Sequence, residues 1–307
     1  MTDLQIQLAK ACDSITSQIG SGTTAQYIPA LAQVDINKFG ASIVTLDGEV
    51  ATFGDAQEQF SVQSIAKTLM LAESLNTIGD TLWNRVNHEP SGNTFNSIVQ
   101  LEIEKGIPRN PFINAGALVL SDVMLGKSTP YLQQKIFLSK IRDLSQDESI
   151  DIDYGVAKSE IEHAFRNTSL LSFMKSFNNI DNTIDDVLKL YCHICSLSMN
   201  CLQMARTFLF LANEGVNPLT GERVVSAEHS RQINAIMMTC GHYDASGSFA
   251  LKVGLPGKSG VGGGIVTIVP NKGVITVWSP GLNTNGNSMA GTAALEAIVK
   301  ETGWRIF

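Results

Sequence analysis

Several things are scarce in this chain of 307 residues, and each scarcity closes off a class of function. No stretch is rich in lysine or arginine, and the net charge is −7 with a sequence pI near 5.3. Phosphate backbones are bound by clustered cations, so no nucleic-acid partner is expected. Long apolar runs are missing too. The most apolar segment, "FINAGALVLSDVML", is interrupted by Asp122 and falls short of the roughly 20 residues a membrane span takes. The N-terminal "MTDLQIQLAKACDSITSQI" alternates polar and apolar residues with a helical period and lacks the continuous apolar core of a secretory signal. Cysteines number five, an odd count that fits a reducing compartment better than a disulfide framework. A soluble, cytoplasmic protein without membrane contact is expected. Low-complexity linkers and internal repeats are also lacking.

What is present is a globular composition, 44% hydrophobic and 17% charged, in a chain long enough for one large domain or two interleaved ones. Two β-rich stretches stand near its ends. "ASIVTLDGEVATFGD" holds two strands around Asp47-Gly48, a dipeptide that favours a tight hairpin turn. "GGGIVTIVPNKGVITVWSP" is a second hairpin, turning at Asn271-Lys272-Gly273. Between them, residues 61 to 245 are almost all helical by period, with loops near Pro90 and from Pro108 to Pro111. "MAGTAALEAIVKETGW" and the N-terminal segment are helices that can pack back on the sheet. The fold class is therefore α+β: an antiparallel sheet from both chain ends, flanked by helices, with a large all-helical insertion. The whole chain forms one catalytic unit, with an α/β part from 1–60 plus 245–307 and a helical part from 61–244.

"CHIC" places Cys192 and Cys195 in a C-x-x-C with His193 between them. The surrounding "VLKLYCHICSLSM" reads as mid-helix, where cysteine is a small buried hydrophobe, so no metal site is assigned. His88, His163, His193, His229 and His242 are taken as structural or solvated. "FSVQSIAKTLMLAES" is more informative. From Val62 onward it reads as an amphipathic helix with Val62, Ile65, Leu69 and Met70 as its apolar stripe. Ser64 and Lys67, three apart near the first turn, share one side of it. At a helix start the Ser64 N–H lacks an intrahelical partner, so this position can hold a nucleophilic hydroxyl and one oxyanion donor. "GKSGVGGG" fits neither nucleotide-binding glycine pattern, since Lys252 and Ile265 stand where glycines are needed. It leaves Lys258-Ser259-Gly260 as a K-[ST]-G strand element, the companion of S-x-x-K in serine β-lactamases and penicillin-binding proteins. Gly260 and the glycines after it are expected to let substrate backbone approach.

With these elements in hand, the chain closely resembles the serine-dependent glutaminases, a β-lactamase-like family. The resemblance runs in order through "YIPALAQVD", "FSVQSIAKT", "GIPRNPFINAGA", "SEIEHAFRN", "YCHICSLSMN", "CGHYDASG", "GKSGVGGGI" and "WSPGLNTNGNS", nearly the whole chain. It implies hydrolysis of L-glutamine to L-glutamate and ammonia through a glutamyl-enzyme, without cofactor, in a homodimer or homotetramer. By position it makes Ser64 the nucleophile and Lys67 its proton acceptor, with Tyr191 and Tyr243 the active-site tyrosines. Asn114, Glu160 and Asn167 match substrate-binding positions, Val261 the strand residue whose backbone meets the amide, and Tyr27 the tyrosine of the lid. Lys258, Ser259 and Gly260 support the site.

The substrate's chemistry agrees. Glutamine presents an ammonium, a carboxylate and a neutral amide, so a site wants one carboxylate (Glu160) and uncharged hydrogen-bonding groups (Asn114, Asn167, Tyr27). Two other readings compete. A β-lactamase or D,D-peptidase would share Ser64, Lys67 and Lys258, but Tyr191-Cys192-His193 lacks the asparagine usual in such enzymes. A non-catalytic amino-acid-binding domain on the same fold would bind without turnover.

Overall fold

The computed structural model describes residues 2–91 and 97–307. Part of the loop expected near Pro90, residues 92–96, lies outside the described residues.

Among the described residues eight strands form two sheets: β1 (Gly40–Thr45), β2 (Val50–Gly54), β3 (Phe60–Ser61), β4 (Asp151–Ile152), β5 (Leu197–Met199), β6 (Gly257–Ser259), β7 (Gly264–Val269) and β8 (Gly273–Trp278). The larger sheet is antiparallel in the order β2-β1-β8-β7-β6, so the two chain ends meet where β1 pairs with β8. Both expected hairpins are there, and Asn271 takes the left-handed conformation that the second turn needs.

The strand residues explain how the sheet is covered. In β7 and β8 the burial is continuous, so both faces are packed. Ile265, Ile275 and Val277 point to one face, where Leu4, Leu8, Leu295 and Ile298 of the Asp3–Asp13 and Met289–Thr302 helices complete a core. Val266, Ile268, Val274 and Trp278 point to the other, into the core of the helical part. The helix Cys201–Thr207, started by an Asn200/Gln203 capping box, joins the two parts by lying on β1 and β8.

Two expectations need correction. Residues 61–245 are not wholly helical: β3, β5 and β4 make a small antiparallel sheet in their midst. These strands are two or three residues long, too short to leave an alternating pattern. Nor is the helix after Ser64 amphipathic. It runs Ala66–Ile78 behind a short 3-10 turn, and every residue from Ala66 to Leu71 is buried. A helix enclosed by others has no solvent face to reveal in sequence.

Candidate active site

The two parts meet in a cleft of about 610 Å³. Its walls carry Tyr27, Ser64, Asn114, Glu160, Asn167, Tyr191, Tyr243 and Val261, eight residues spread over more than two hundred positions of sequence. Lys67 lies beneath this wall, fully buried. Lys258 and Ser259 sit on the buried edge strand β6.

Local chemistry sets the floor. In "NPFINAG" the buried Asn110 side chain accepts from the Phe112 and Ile113 amides at 3.0 and 3.1 Å, closing a turn before the Asn114–Leu125 helix. Gly116 lets that turn sit on the helix, since a Cβ there would lie 2.0 Å from the Asn110 carbonyl. The result is a fixed cradle: Lys67 Nζ donates to the Phe112 carbonyl at 3.0 Å and to Asn114 Oδ1 at 2.8 Å. Asn114 in turn donates through Nδ2 to Asn167 Oδ1 at 3.0 Å. Asn114 therefore holds the lysine as well as lining the cleft.

Burial withdraws hydration from the Lys67 ammonium, and this dominates, lowering its pKa to about 8 although Cys195 and Glu160 nearby pull the other way. Lys258 is lowered well below its usual value by burial first and by Lys67 second. It donates to the carbonyls of Gly241 and Ser259 at 3.0 and 2.6 Å, and its amine stands 4.4 Å from the centre of the Tyr243 ring. Two buried amines so near one another favour the neutral form of at least one.

Tyr243 lies in a 3-10 turn with φ +53°, an uncommon left-handed conformation for a side chain of this size. Ser246 holds the turn by donating to the Tyr243 carbonyl at 2.8 Å while accepting from the His242 amide at 3.1 Å. Ser64 and Tyr243 are hydrogen-bonded through their side chains. His242 is buried, as a structural histidine should be, with its ring stacked 3.5 Å from that of Phe249. His163, by contrast, stands on the cleft wall rather than apart from the site.

The glycines of "GKSGVGGG" have a packing role that the sequence reading did not include. Gly260 and Gly262 admit the protein's own backbone. A Cβ on Gly260 would meet the Val62 carbonyl at 2.6 Å, and one on Gly262 the Ser61 carbonyl at 2.1 Å. The β6–β7 turn is thereby pressed against the segment that bears Ser64, and the Trp278 indole secures it by donating to the Gly262 carbonyl at 3.0 Å. Among the described residues no acceptor takes up the Ser64 or Val261 N–H.

Gln63 and Arg166 on the wall escaped the sequence reading. Gln63, buried and at φ +53°, donates from Nε2 to Glu160 Oε1 at 2.6 Å and to Ser61 Oγ at 2.9 Å. Burial raises the Glu160 pKa to about 7, against the lowering effects of Gln63 and Lys67. Cys192 and Cys195 lie on the Ile184–Cys195 helix as buried free thiols, in line with the hydrophobic reading. Their pKa values are raised by burial, so neither is poised as a thiolate.

A helical part docked on an antiparallel sheet, with serine and lysine one helical turn apart at the seam and a Lys-Ser-Gly strand opposite, defines the β-lactamase-like class. Within it the chain belongs to the glutaminase family, whose model, described as Glutaminase, matches residues 22–307. A glutaminase of Rhizobium rhizogenes is 52% identical over all 307 residues of this chain and 99% of its own length. Among solved structures, the probable glutaminase YbaS superposes with a TM-score of 0.92 at 34% identity, covering 98% of both chains. The Bacillus subtilis glutaminase YbgJ, solved as a covalent complex with 5-oxo-L-norleucine formed from 6-diazo-5-oxo-L-norleucine, superposes with a TM-score of 0.89 at 30% identity, covering 99% of both.

Proposed function

We propose that this glutaminase hydrolyses the γ-amide of L-glutamine by acyl transfer through Ser64. The observation that carries the serine reading is Lys67: a fully buried amine with its pKa lowered to about 8, cradled by Phe112 and Asn114 one turn from Ser64. Neutral Lys67, directly or with a tyrosine, takes the Ser64 proton as Oγ attacks the carbonyl carbon of the γ-amide. The Ser64 and Val261 amides receive the oxyanion. The C–N bond then breaks, and ammonia departs with a proton delivered through Tyr191 or Tyr243. Water cleaves the glutamyl ester, returning the serine hydroxyl. Glu160 pairs with the α-ammonium, while Asn114, Asn167 and Tyr27 supply neutral hydrogen bonds. Lys258, Ser259 and Gly260 support the floor, and no metal or organic cofactor enters any step. The reading is tested by Ser64→Ala: ammonia release from glutamine should vanish while glutamine binding persists. Retained turnover would exclude Ser64 as nucleophile.

We also propose that residues 1–60 with 245–307 and residues 61–244 act as one catalytic unit. A homodimer or homotetramer is supported by apolar side chains left exposed on the Pro130–Ser145 helix, Tyr131, Leu132 and Ile136 among them. Light scattering on the purified chain tests it, and a monomer would refute it. A cytoplasmic location is supported by five cysteines that are all free and buried. Among the described residues no helix is long and apolar enough to cross a membrane.

A further inference from the structure

The cleft carries one charged side chain for which the catalytic steps have no use. Arg166 lines the wall beside Asn167 and is exposed. Among the described residues it makes no hydrogen bond and no ion pair. Arg85, Arg109, Arg142, Arg223 and Arg231 are each tied to a carboxylate or a backbone carbonyl. Arg206 and Arg305 share its lack of a side-chain hydrogen bond or ion pair but do not line the cleft, so Arg166 is set apart by its place on the wall.

Its position adds to this. The Tyr154–Glu162 helix ends and the Phe165–Ser176 helix begins within three residues, and from this one corner both Glu160 and Arg166 line the cleft. The two opposite charges are not paired with each other. Glu160 is occupied by Gln63, and Arg166 stands apart. A ligand with an ammonium and a carboxylate on one carbon offers the complement of that arrangement. Neutral amides can hydrogen-bond the carboxylate but cannot balance its charge, and Arg166 is the guanidinium on this wall.

We propose that Arg166 is the counter-charge for the α-carboxylate of the substrate, and so selects free amino acids over derivatives blocked at that carboxyl. The inference rests on the reading of this cleft as the glutamine site. The carboxylate does not change during reaction at the far amide, so the contact is equal in ground and transition states. It therefore belongs to KM and not to kcat. Because the guanidinium is exposed, the contact is screened by salt.

The test compares wild type, Arg166→Gln and Arg166→Lys on L-glutamine, with L-glutamine α-amide as a competitive inhibitor in which a neutral carboxamide replaces the carboxylate. For Arg166→Gln at low ionic strength the expected result is a KM for glutamine raised roughly three- to tenfold, with kcat within about twofold of wild type. The inhibition constant of the α-amide should not move. Arg166→Lys should recover most of the lost affinity, and about 1 M NaCl should close most of the gap between Arg166→Gln and wild type. An equal loss for glutamine and the α-amide would overturn the proposal, as would an unchanged KM at low salt. Failure of the underlying site reading would look different: wild-type enzyme would then escape labelling at Ser64 by a glutamine diazoketone, whatever Arg166 does.

Discussion

On the floor of the cleft Lys67 and Lys258 are wholly out of water and rest on carbonyl oxygens, whereas on the rim Arg166 is exposed and Asn167 and Glu160 are half-buried, Glu160 deeply enough that burial raises its pKa. The floor holds amines where the charged form is penalised, which makes a base available near neutral pH. The rim holds one carboxylate and one guanidinium unpaired with each other, which suits a zwitterion. Catalysis and recognition are thus divided by depth. Changes on the floor should act on kcat, and changes on the rim on KM.

The largest effect that could break this division is at Lys67. Lys67→Met keeps the volume and removes the base, and kcat should fall roughly a thousandfold, within the span of general-base catalysis, while KM changes little. A loss confined to KM would place Lys67 with the rim.

Glu160→Gln comes next. An ammonium brought into the cleft without its countercharge should cost roughly 2–5 kcal/mol in kcat/KM for glutamine. N-acetylglutamine, which has no ammonium, should lose much less on the same substitution. Equal losses would make Glu160 structural.

The pH profile separates the two regions without mutation. Lys67 acts when deprotonated, and its pKa is lowered to about 8, so activity rises as pH climbs through that value. Glu160 pairs with the ammonium when ionised, and its pKa is raised to about 7, so binding is lost as pH falls through that value. Log kcat/KM should therefore climb steeply below pH 7, less steeply between 7 and 8, and level above. Glu160→Gln should abolish the lower break and keep an upper one, moved to lower pH because the carboxylate no longer raises the Lys67 pKa. A single break near the reference carboxylate pKa of about 4 would contradict both assignments.

The smallest effect is at Tyr27, whose side chain is exposed on the rim. Tyr27→Phe should cost roughly 0.5–1.5 kcal/mol in kcat/KM, the worth of one neutral hydrogen bond, read from initial rates at low substrate. A fall in kcat of a hundredfold would give Tyr27 a share in the chemistry.

The sequence made the sheet legible because β1, β2, β7 and β8 end in turns with strong residue signals, Asp47-Gly48 and Asn271 among them. The eight wall residues were legible as motif positions of the family the chain resembles, since taken singly each polar side chain among them would suit a surface or a helix cap. Gln63 and Arg166 lay in the same motifs, "VQSIAK" and "AFRN", and went unread. The place of Gln63 comes from a left-handed backbone and the role proposed for Arg166 from a missing partner, and neither leaves a trace in residue order. The packing of the β6–β7 turn on the Ser64 segment was not legible, because sequence does not say whose backbone a glycine admits. The small sheet was hidden by the brevity of its strands, and the enclosed helix after Ser64 by the apolar residues around it on every side.

The measurement closest to the centre of the account is the site of covalent capture. A diazoketone analogue of glutamine should inactivate the enzyme with one adduct per chain, and peptide mass spectrometry should place it on Ser64. Glutamine should protect against it, and labelling should be faster at pH 8 than at pH 6, as a base with pKa lowered to about 8 requires. An adduct on Cys192 or Cys195, or one whose rate ignores pH across that interval, would contradict the serine and lysine assignment.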